Sequence, residues 1–596
     1  MVDVESTESS KDIRANLDNK VNEINPVCQC KKCINIEAPD DSTKQPCSSR
    51  VYCYGPLLHE VQTTQPHLYR DSKSFVDMRM RNSEIETLRN FNKLMNETNC
   101  KPSRDQLSEF VNKTFEEVKE LDEITPEDFN KSPPFLNNIK DPELKKFASF
   151  LNEMWPELAR KVPNEAKTKS KQYSILPVPY TFVVPGGRFR EPYYWDSYWI
   201  ISGLLICEMK DTARDMLKNF FWFVDKYGFV LNGGRIYYEK RSQPPLLAHM
   251  VYLYVKKTND KKFLEEKVGE NTNIQLLEKE LVFWSKNSKI SVKGNTLLRY
   301  YVDVEGPRPE GYREDYIMTD NATDSLKYLY KEFKSAAESG WDYSSRWFAN
   351  PDTDRSLKNL KVTNIAPVDL NAFYCGGLDH LTELYSLLGN TAKSEEWKKK
   401  GDEFRESIYK VLWSETDGIW FDVDITTGEH RKQFYPSNMS PLWTKVIHAS
   451  QSSADVANRV AQYLNGTKEF HLPGGVPASN INTSQQWDYP NVWPPLIGYM
   501  VEGLQNSDSD YAKELAFELT ERWIYSNYLS YDSGKRMYEK YHCEFPGQRG
   551  AGGEYTVQFG FGWTNGVILE MLNVYGDRLS LTAIKERVEQ LMQSKT

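Results

Sequence analysis

Residues 209–228 read MKDTARDMLKNFFWFVDKYG, and their spacing decides the fold class. Met209, Ala213, Met216, Leu217, Phe220, Phe221 and Val224 recur at steps of three and four, which lines them along one face of a helix. Gly228 stands where such a helix stops. The same reading, carried outward, predicts helices near 79–96, 105–121, 141–160, 275–286, 322–338, 378–388, 393–413, 454–464, 494–505, 509–526 and 577–593. Strand signals are few. Gly418 to Arg431 reads as a small β-hairpin, with Trp420, Phe421, Val423 and Ile425 leading into a turn at Thr427-Gly428. No fixed-period repeat or low-complexity linker divides the chain. The expectation is one all-α catalytic domain over residues 67–596, preceded by a partly flexible N-terminal tail, 1–66, with a cysteine cluster.

The chain has 596 residues with 75 Lys and Arg against 84 Asp and Glu, a net charge of −9 and a pI near 5.7. That balance offers no basic stripe to phosphates, so a nucleic-acid partner is not expected. Aromatics at 13% and apolar residues at 39% fit a folded enzyme rather than a disordered chain. Tyr198 to Cys207 is the nearest approach to a membrane span and falls short of the roughly 18 residues one needs. Met1 to Lys20 is polar and lacks the apolar core of a secretory signal, so the chain is either cytoplasmic or secreted with its signal absent from this sequence. Residues 1 to about 45 hold no periodic apolar segment and are expected to be dispensable for turnover. Five cysteines cluster at Cys28, Cys30, Cys33, Cys47 and Cys53, while Cys100, Cys207, Cys375 and Cys543 are scattered. Cys30 and Cys33 form one C-x-x-C, but no second pair and no paired histidines follow at zinc spacing, so neither a metal nor a cofactor is expected. Sequons at Asn96, Asn112, Asn321, Asn438, Asn465 and Asn482 add weight to a secreted origin.

The chemistry lies in the loops between the helices. Pro185-Gly-Gly-Arg-Phe-Arg-Glu-Pro-Tyr-Tyr-Trp-Asp-Ser-Tyr-Trp-Ile200 interleaves two arginines, two acids and six aromatics with a glycine pair. A pyranose offers hydroxyls to charged groups and C–H faces to rings, so this mixture suits a sugar, although a loop packed by its aromatics has the same composition. Asn232-Gly-Gly-Arg235, Arg241-Ser-Gln-Pro-Pro245, Arg308-Pro-Glu310 and Arg313-Glu-Asp315 repeat the pattern. Such recurrence is expected if several loops converge on one polar pocket. Gln485 to Pro495 again mixes amide, acid and aromatic residues. Gly547 to Gly553 holds four glycines without the Gly-Lys-Ser/Thr of a phosphate loop, which suits a lid. Asp342, between Trp341 and Tyr343, has two readings: a desolvated carboxyl that keeps its proton near neutral pH, as a general acid must, or the N-cap of a following helix.

These segments carry a resemblance to the trehalases of glycoside hydrolase family 37. Pro185 to Tyr198 matches the family's first signature and Gln486 to Pro495 its second. The likeness runs from roughly Cys47 to Val574 and includes the Cys47-x5-Cys53-x-Gly-Pro-Leu-Leu segment of animal members. The resemblance implies an (α/α)6 toroid with long site-forming loops, and inverting hydrolysis of α,α-trehalose to two glucoses by a monomer. It puts the general acid on Asp342 and the general base on Glu539. It puts sugar contacts on Arg188, Trp195, Asp196, Asn232, Arg241, Ser242, Gln243, Arg308, Pro309, Glu310, Gly340 and Glu554. A Cys47–Cys53 disulfide is expected, since five intervening residues can close that loop and the matching segment of animal members supports secretion. Two alternatives remain at this point: an inverting glucosidase of other specificity on the same toroid, and a carbohydrate-binding protein without catalysis. Val492 stands where the second signature often has Gly, Ala551 interrupts a run of glycines, and Phe559 replaces an acid. Val492 would be strained if the backbone there needed a positive φ.

Overall fold

The computed structural model describes residues 32–36 and 42–593, and its helices stand in two concentric rings. In chain order the ring helices are α1 (Pro142–Leu158), α2 (Asp196–Ile206), α3 (Lys210–Tyr227), α4 (Leu247–Thr258), α5 (Asn273–Asn287) and α6 (Val368–Leu387). They continue as α7 (Thr391–Leu412), α8 (Ser440–Trp443), α9 (Ser453–Asn465), α10 (Pro494–Gln505), α11 (Asp510–Gly534) and α12 (Gly562–Tyr575). The even-numbered helices form the inner ring: α2 packs on α4, α4 on α6, α6 on α8, α8 on α10, α10 on α12, and α12 closes back onto α2. Outside them, α1 lies on α12, α3 on α2 and α4, α5 and α7 on α6, α11 on α10, and α9 on α11. This is the (α/α)6 toroid.

Sequence pattern sorts the rings. α3 buries Ala213, Met216, Leu217, Phe220, Phe221 and Val224 along the anticipated stripe, and Gly228 ends it at φ 90°. The inner helices α2 and α12 instead bury residues all round, from Asp196 to Leu205 and from Gly562 to Leu569. A helix without a polar face has no apolar period to detect, so α2, α12 and the first half of α6 are absent from the predicted set; α4, which exposes Lys256 and Lys257, is absent as well. The predicted 322–338 shortens to Leu329–Glu338, and 509–526 lengthens to the whole of α11. The ring closes by a close backbone approach. A Cβ on Gly566 of α12 would sit 2.0 Å from the Trp199 carbonyl oxygen, so no other residue fits there.

The expected hairpin forms at its tip, where the Asp424 N–H donates to Glu429 O and the Arg431 N–H to Asp422 O. Gly428 does turn the chain (φ 68°), and Val423 bridges His430. The main pairings lie elsewhere, however, because Ile419–Trp420 pairs back to Trp413–Ser414 and Val423–Asp424 pairs with Ile365–Ala366. The longest hairpin, Lys289–Val292 with Asn295–Leu298, turns on Lys293 and Gly294 and was not anticipated.

The segment before residue 67 is built into the body where it is described. Leu57, Leu58 and Val61 of the Pro56–Thr63 helix are buried, as are Val51 and Ile34. Asn92 hydrogen-bonds both backbone groups of Ile34, and the Glu305 N–H donates to Lys44 O at 2.7 Å. Removing residues up to 45 therefore also removes these contacts. Cys47 and Cys53 form the expected disulfide, Cys33 and Cys100 are also disulfide-bonded, and Cys207, Cys375 and Cys543 are buried thiols outside any disulfide. Cys28, Cys30 and the Met1–Lys20 segment lie outside the described residues. Of the sequons, Asn438 is only 2% exposed, so it is no glycan acceptor in the folded chain, whereas Asn112, Asn321 and Asn482 are exposed. No helix among the described residues is long and apolar enough to cross a membrane.

One ion cluster ties the centre of the chain together. Arg346, fully buried, bonds Asp369 of α6 at 2.7 and 2.9 Å and Asp422 at 2.7 and 3.0 Å. Removing the guanidinium strands two buried carboxylates. Arg346→Met is expected to lower unfolding free energy by about 3–5 kcal/mol, measured by urea denaturation; a loss under about 1 kcal/mol would mean the cluster is not a structural tie.

Candidate active site

The loops that reach the mouth of the toroid mostly arrive just before an inner helix. Trp195 precedes α2, Arg241 to Gln243 precede α4, Gln486 to Trp493 precede α10, and Glu539 to Phe561 precede α12. The positive ends of these helix dipoles thus surround the site, which favours anionic side chains there. Asp342 arrives on the loop after Leu329–Glu338. These loops line a cavity of about 120 Å³.

Of the sequence-derived candidates, Asp342, Glu539, Arg188, Trp195, Asp196, Asn232, Arg241, Gln243, Arg308, Glu310, Gly340 and Glu554 line this one cavity. Ser242 and Pro309 do not. The Ser242 hydroxyl donates to Val230 O at 2.6 Å and its N–H to Glu338 Oε1 at 3.2 Å, so it fixes the backbone behind the wall. Pro309 faces a smaller void beside Lys334. The cavity also takes Asp71, Ser72 and Lys73, which sequence reasoning left out. Nothing local marks these three. They are drawn in by an ion pair between Lys73 and the buried Glu191 of the first signature, 2.7 Å, which no linear pattern could reveal. Tyr238, Glu314 and Tyr555 were also missed.

Asp342 does not cap a helix: Ser344 does, accepting from the Arg346 N–H. Burial pushes the Asp342 carboxyl from an ordinary 3.8 up to about 7, with Arg308 and Arg241 opposing and Glu554 adding to the rise. The loop is pinned from outside. Buried Asp488 accepts from the hydroxyls of Ser344 (3.0 Å), Ser345 (2.6 Å) and Ser479 (2.7 Å), and from the Ser345 N–H (2.7 Å), and the Trp487 N–H donates to Tyr343 O at 3.0 Å. Gly340 is required by space as well as by its φ of 75°, because a Cβ would lie 2.8 Å from the Trp195 indole.

Glu539 is also raised by burial, but less freely. Lys540, the Tyr555 hydroxyl at 2.7 Å, the Gln558 N–H at 3.3 Å and Arg188 all favour its charged form. The neighbouring Lys540 does not pair directly with Glu539. Its ammonium donates to Gln486 Oε1 at 3.3 Å and Gly552 O at 3.2 Å, and burial brings its pKa down to about 8. A third carboxyl, Asp196 at the head of α2, is pushed to about 8 by burial, with the charges of Glu539 and Asp342 adding to the rise. Arg308 holds Asp315 and Glu554 (2.8 Å), Arg241 pairs with Glu310, and Arg188 meets Asp71 at 3.5 Å. Although burial opposes it, the Arg241 and Arg308 guanidiniums keep Glu310 below the usual carboxylate range. Trp487 and Trp493 stack at 3.9 Å, and Trp195 and Trp563 join them to form an aromatic wall. The three departures leave this intact. Val492 sits in a short strand paired to Tyr541 with no positive φ, the Ala551 N–H donates to Asn491 Oδ1, and Phe559 is 63% exposed outside the cavity.

A toroid of this kind, closed over protonated and ionised carboxyls with arginines and a tryptophan wall, defines a glycoside hydrolase. The trehalase family model matches residues 67–576. Trehalase from Bombyx mori is 44% identical over 545 residues, covering 90% of this chain and 92% of the relative, and that from Homo sapiens is 42% identical, covering 90% and 91%. Neutral trehalase Nth1 from Saccharomyces cerevisiae, 23% identical, shares the fold with a TM-score of 0.52 over 69% of this chain and 79% of its own. The chain belongs to the trehalase family.

Asp196 offers a test of the electrostatics. Its folded pKa lies above its unfolded value, so its contribution to stability is full below about pH 4 and is lost as pH rises toward 8. Asp196→Asn mimics the protonated acid. Its stability relative to the unsubstituted protein is expected to grow between pH 4 and 8 by at least ~1 kcal/mol, read by denaturant unfolding; a pH-independent difference would refute the assigned burial effect.

Proposed function

We propose that this protein hydrolyses α,α-trehalose to two glucose molecules with Asp342 as general acid and Glu539 as general base. The observation that carries the assignment is the contrast between two carboxyls in one cavity, Asp342 half-buried and Glu539 fully buried. The Asp342 carboxyl is met by its own backbone N–H and holds its proton to about pH 7, while a tyrosine hydroxyl, a backbone N–H of another residue and two nearby cations all favour the ionised form of Glu539. Environments that push two titratable groups apart are how acid and base roles are divided.

In this scheme the Asp342 proton passes to the glycosidic oxygen as the bond to the anomeric carbon breaks. Glu539 takes a proton from water, whose oxygen attacks the anomeric carbon from the opposite face. The oxocarbenium-like transition state carries positive charge, which the ionised Glu539 and the field of Glu310 and Glu554 stabilise. Arg188, Arg241, Arg308, Asn232, Gln243 and Asp196 supply forked and single hydrogen bonds for the hydroxyls of both rings, and Trp195 offers an apolar face. Ser242 and Pro309 act by holding the backbone beneath Arg241, Gln243 and Arg308. The Cys47–Cys53 disulfide and the exposed sequons support a secreted protein.

Asp342→Asn and Glu539→Gln are each expected to lower kcat by about 10²–10⁴ while trehalose still binds. Glucose release and isothermal titration check this, with a panel of α-linked disaccharides as competitors for specificity. Near-normal turnover in either variant would show that the pair is misassigned, and equal turnover of another α-glucoside would move the protein to a different specificity.

A further inference from the structure

Adjacent residues of the glycine-rich loop reach opposite sides of the cavity. Glu554 Oε1 accepts from Arg308 Nη2 at 2.8 Å, and Arg308 is the cation bearing most strongly on Asp342. Tyr555 turns the other way and its hydroxyl donates to Glu539 Oε1 at 2.7 Å. Gln558, three residues on, donates its N–H to Glu539 Oε2 at 3.3 Å, and its own side-chain oxygen accepts the Arg188 N–H at 3.0 Å. Among the described residues these two donors, both from the loop, are the hydrogen-bond partners of the Glu539 carboxylate. The Tyr555 ring is itself held: the Arg188 guanidinium lies 4.8 Å from its centroid and Phe189 meets it edge-on at 5.3 Å. The loop is anchored in turn by the Ala551 N–H on Asn491 Oδ1 and by Lys540 on Gly552 O.

We infer that Tyr555 is the positioning residue of the water-activating carboxylate, fixing Oε1 of Glu539 so that the lightly held Oε2 takes the proton from water. Because Tyr555 rides beside Glu554, seating the loop organises the base and the acid side in one step, and an unseated loop leaves Glu539 without either hydrogen bond. The inference rests on Glu539 being the base. Lys540, Arg188 and the Tyr555 hydroxyl face Glu539, as do the carboxyls of Asp196 and, beyond it, Asp342. Removing the Tyr555 hydroxyl leaves all the other charges in place. A donor to a carboxylate stabilises its ionised form, so losing it raises the pH at which the base ionises.

The test is Tyr555→Phe in the full chain, with pH profiles of kcat/KM for trehalose. The expected result is a kcat lower by about tenfold to a hundredfold and an acid limb shifted toward higher pH by about one unit. Phenylalanine keeps the ring contacts with Phe189 and Arg188, so the melting temperature should stay that of the parent. A merely structural role would scale the profile down without moving the limb, and that result, or an unchanged kcat, overturns the inference. Glu539→Gln, measured alongside, separates the two levels. If it retains turnover, the base assignment fails and the inference with it; if it is inactive while the Tyr555→Phe limb is unmoved, only the role of Tyr555 is refuted. Should Tyr555→Phe melt early, Tyr555→His, which restores a donor on a shorter ring, decides: recovery of the parent limb supports the inference, and a limb no different from that of Tyr555→Phe overturns it.

Discussion

Carboxyl groups crowded into one cavity govern this structure. Asp196, Asp342, Glu539, Glu310 and Glu554 all face it, with Asp196 and Glu539 buried, Asp342 and Glu310 half-buried and Glu554 exposed, and five negative charges brought so close would repel one another and lose part of their hydration. The protein resolves the conflict unevenly. Glu310 and Glu554 receive arginines, Glu539 receives hydrogen bonds and nearby cations, and Asp196 and Asp342 are left to hold their protons into the neutral range. In the proposed mechanism this uneven distribution supplies an acid and a base from similar groups at one pH.

The toroid serves that distribution. Four of the inner helices, α2, α4, α10 and α12, begin at the mouth, so the loops feeding them meet at a common centre, and the ring below is closed tightly enough that Gly566 admits no side chain. The walls are then braced from behind by groups that never see the cavity. Asp488 gathers three serine hydroxyls to fix the Asp342 loop, Arg346 ties Asp369 to Asp422, and the Lys73–Glu191 pair brings the N-terminal segment to the rim. Precise placement of a few catalytic atoms thus depends on buried polar links, which are costly to break and fully satisfied where they matter.

Much of this was legible in one dimension, and the misses have physical causes. α3 declared itself because it has a wet face and a dry face, whereas α2 and α12 are buried all round and carry no period. The mixture of forks, rings and acids in the first signature pointed to a sugar surface, the family resemblance picked out Arg188, Trp195 and Asp196 within it, and the cavity contains all three. Asp71 to Lys73 and Tyr555 escaped because their roles come from partners over a hundred residues away or from which way a loop turns. Ser242 and Pro309 show the reverse effect: they sit within contact-bearing triplets, yet their side chains point behind the wall. For Asp342 the choice between a helix cap and a proton donor needed burial, which sequence does not display.

The central claim is that Asp342 and Glu539 act on opposite faces of the sugar with water between them. The anomeric composition of the first-formed glucose tests it most directly. Proton NMR within the first seconds to minutes of trehalose turnover, before mutarotation, should show α- and β-glucose in equal amounts, because the attacked ring inverts and the leaving one does not. Exclusively α-glucose at those times would mean that configuration is retained, and the division of labour between the two carboxyls would be wrong.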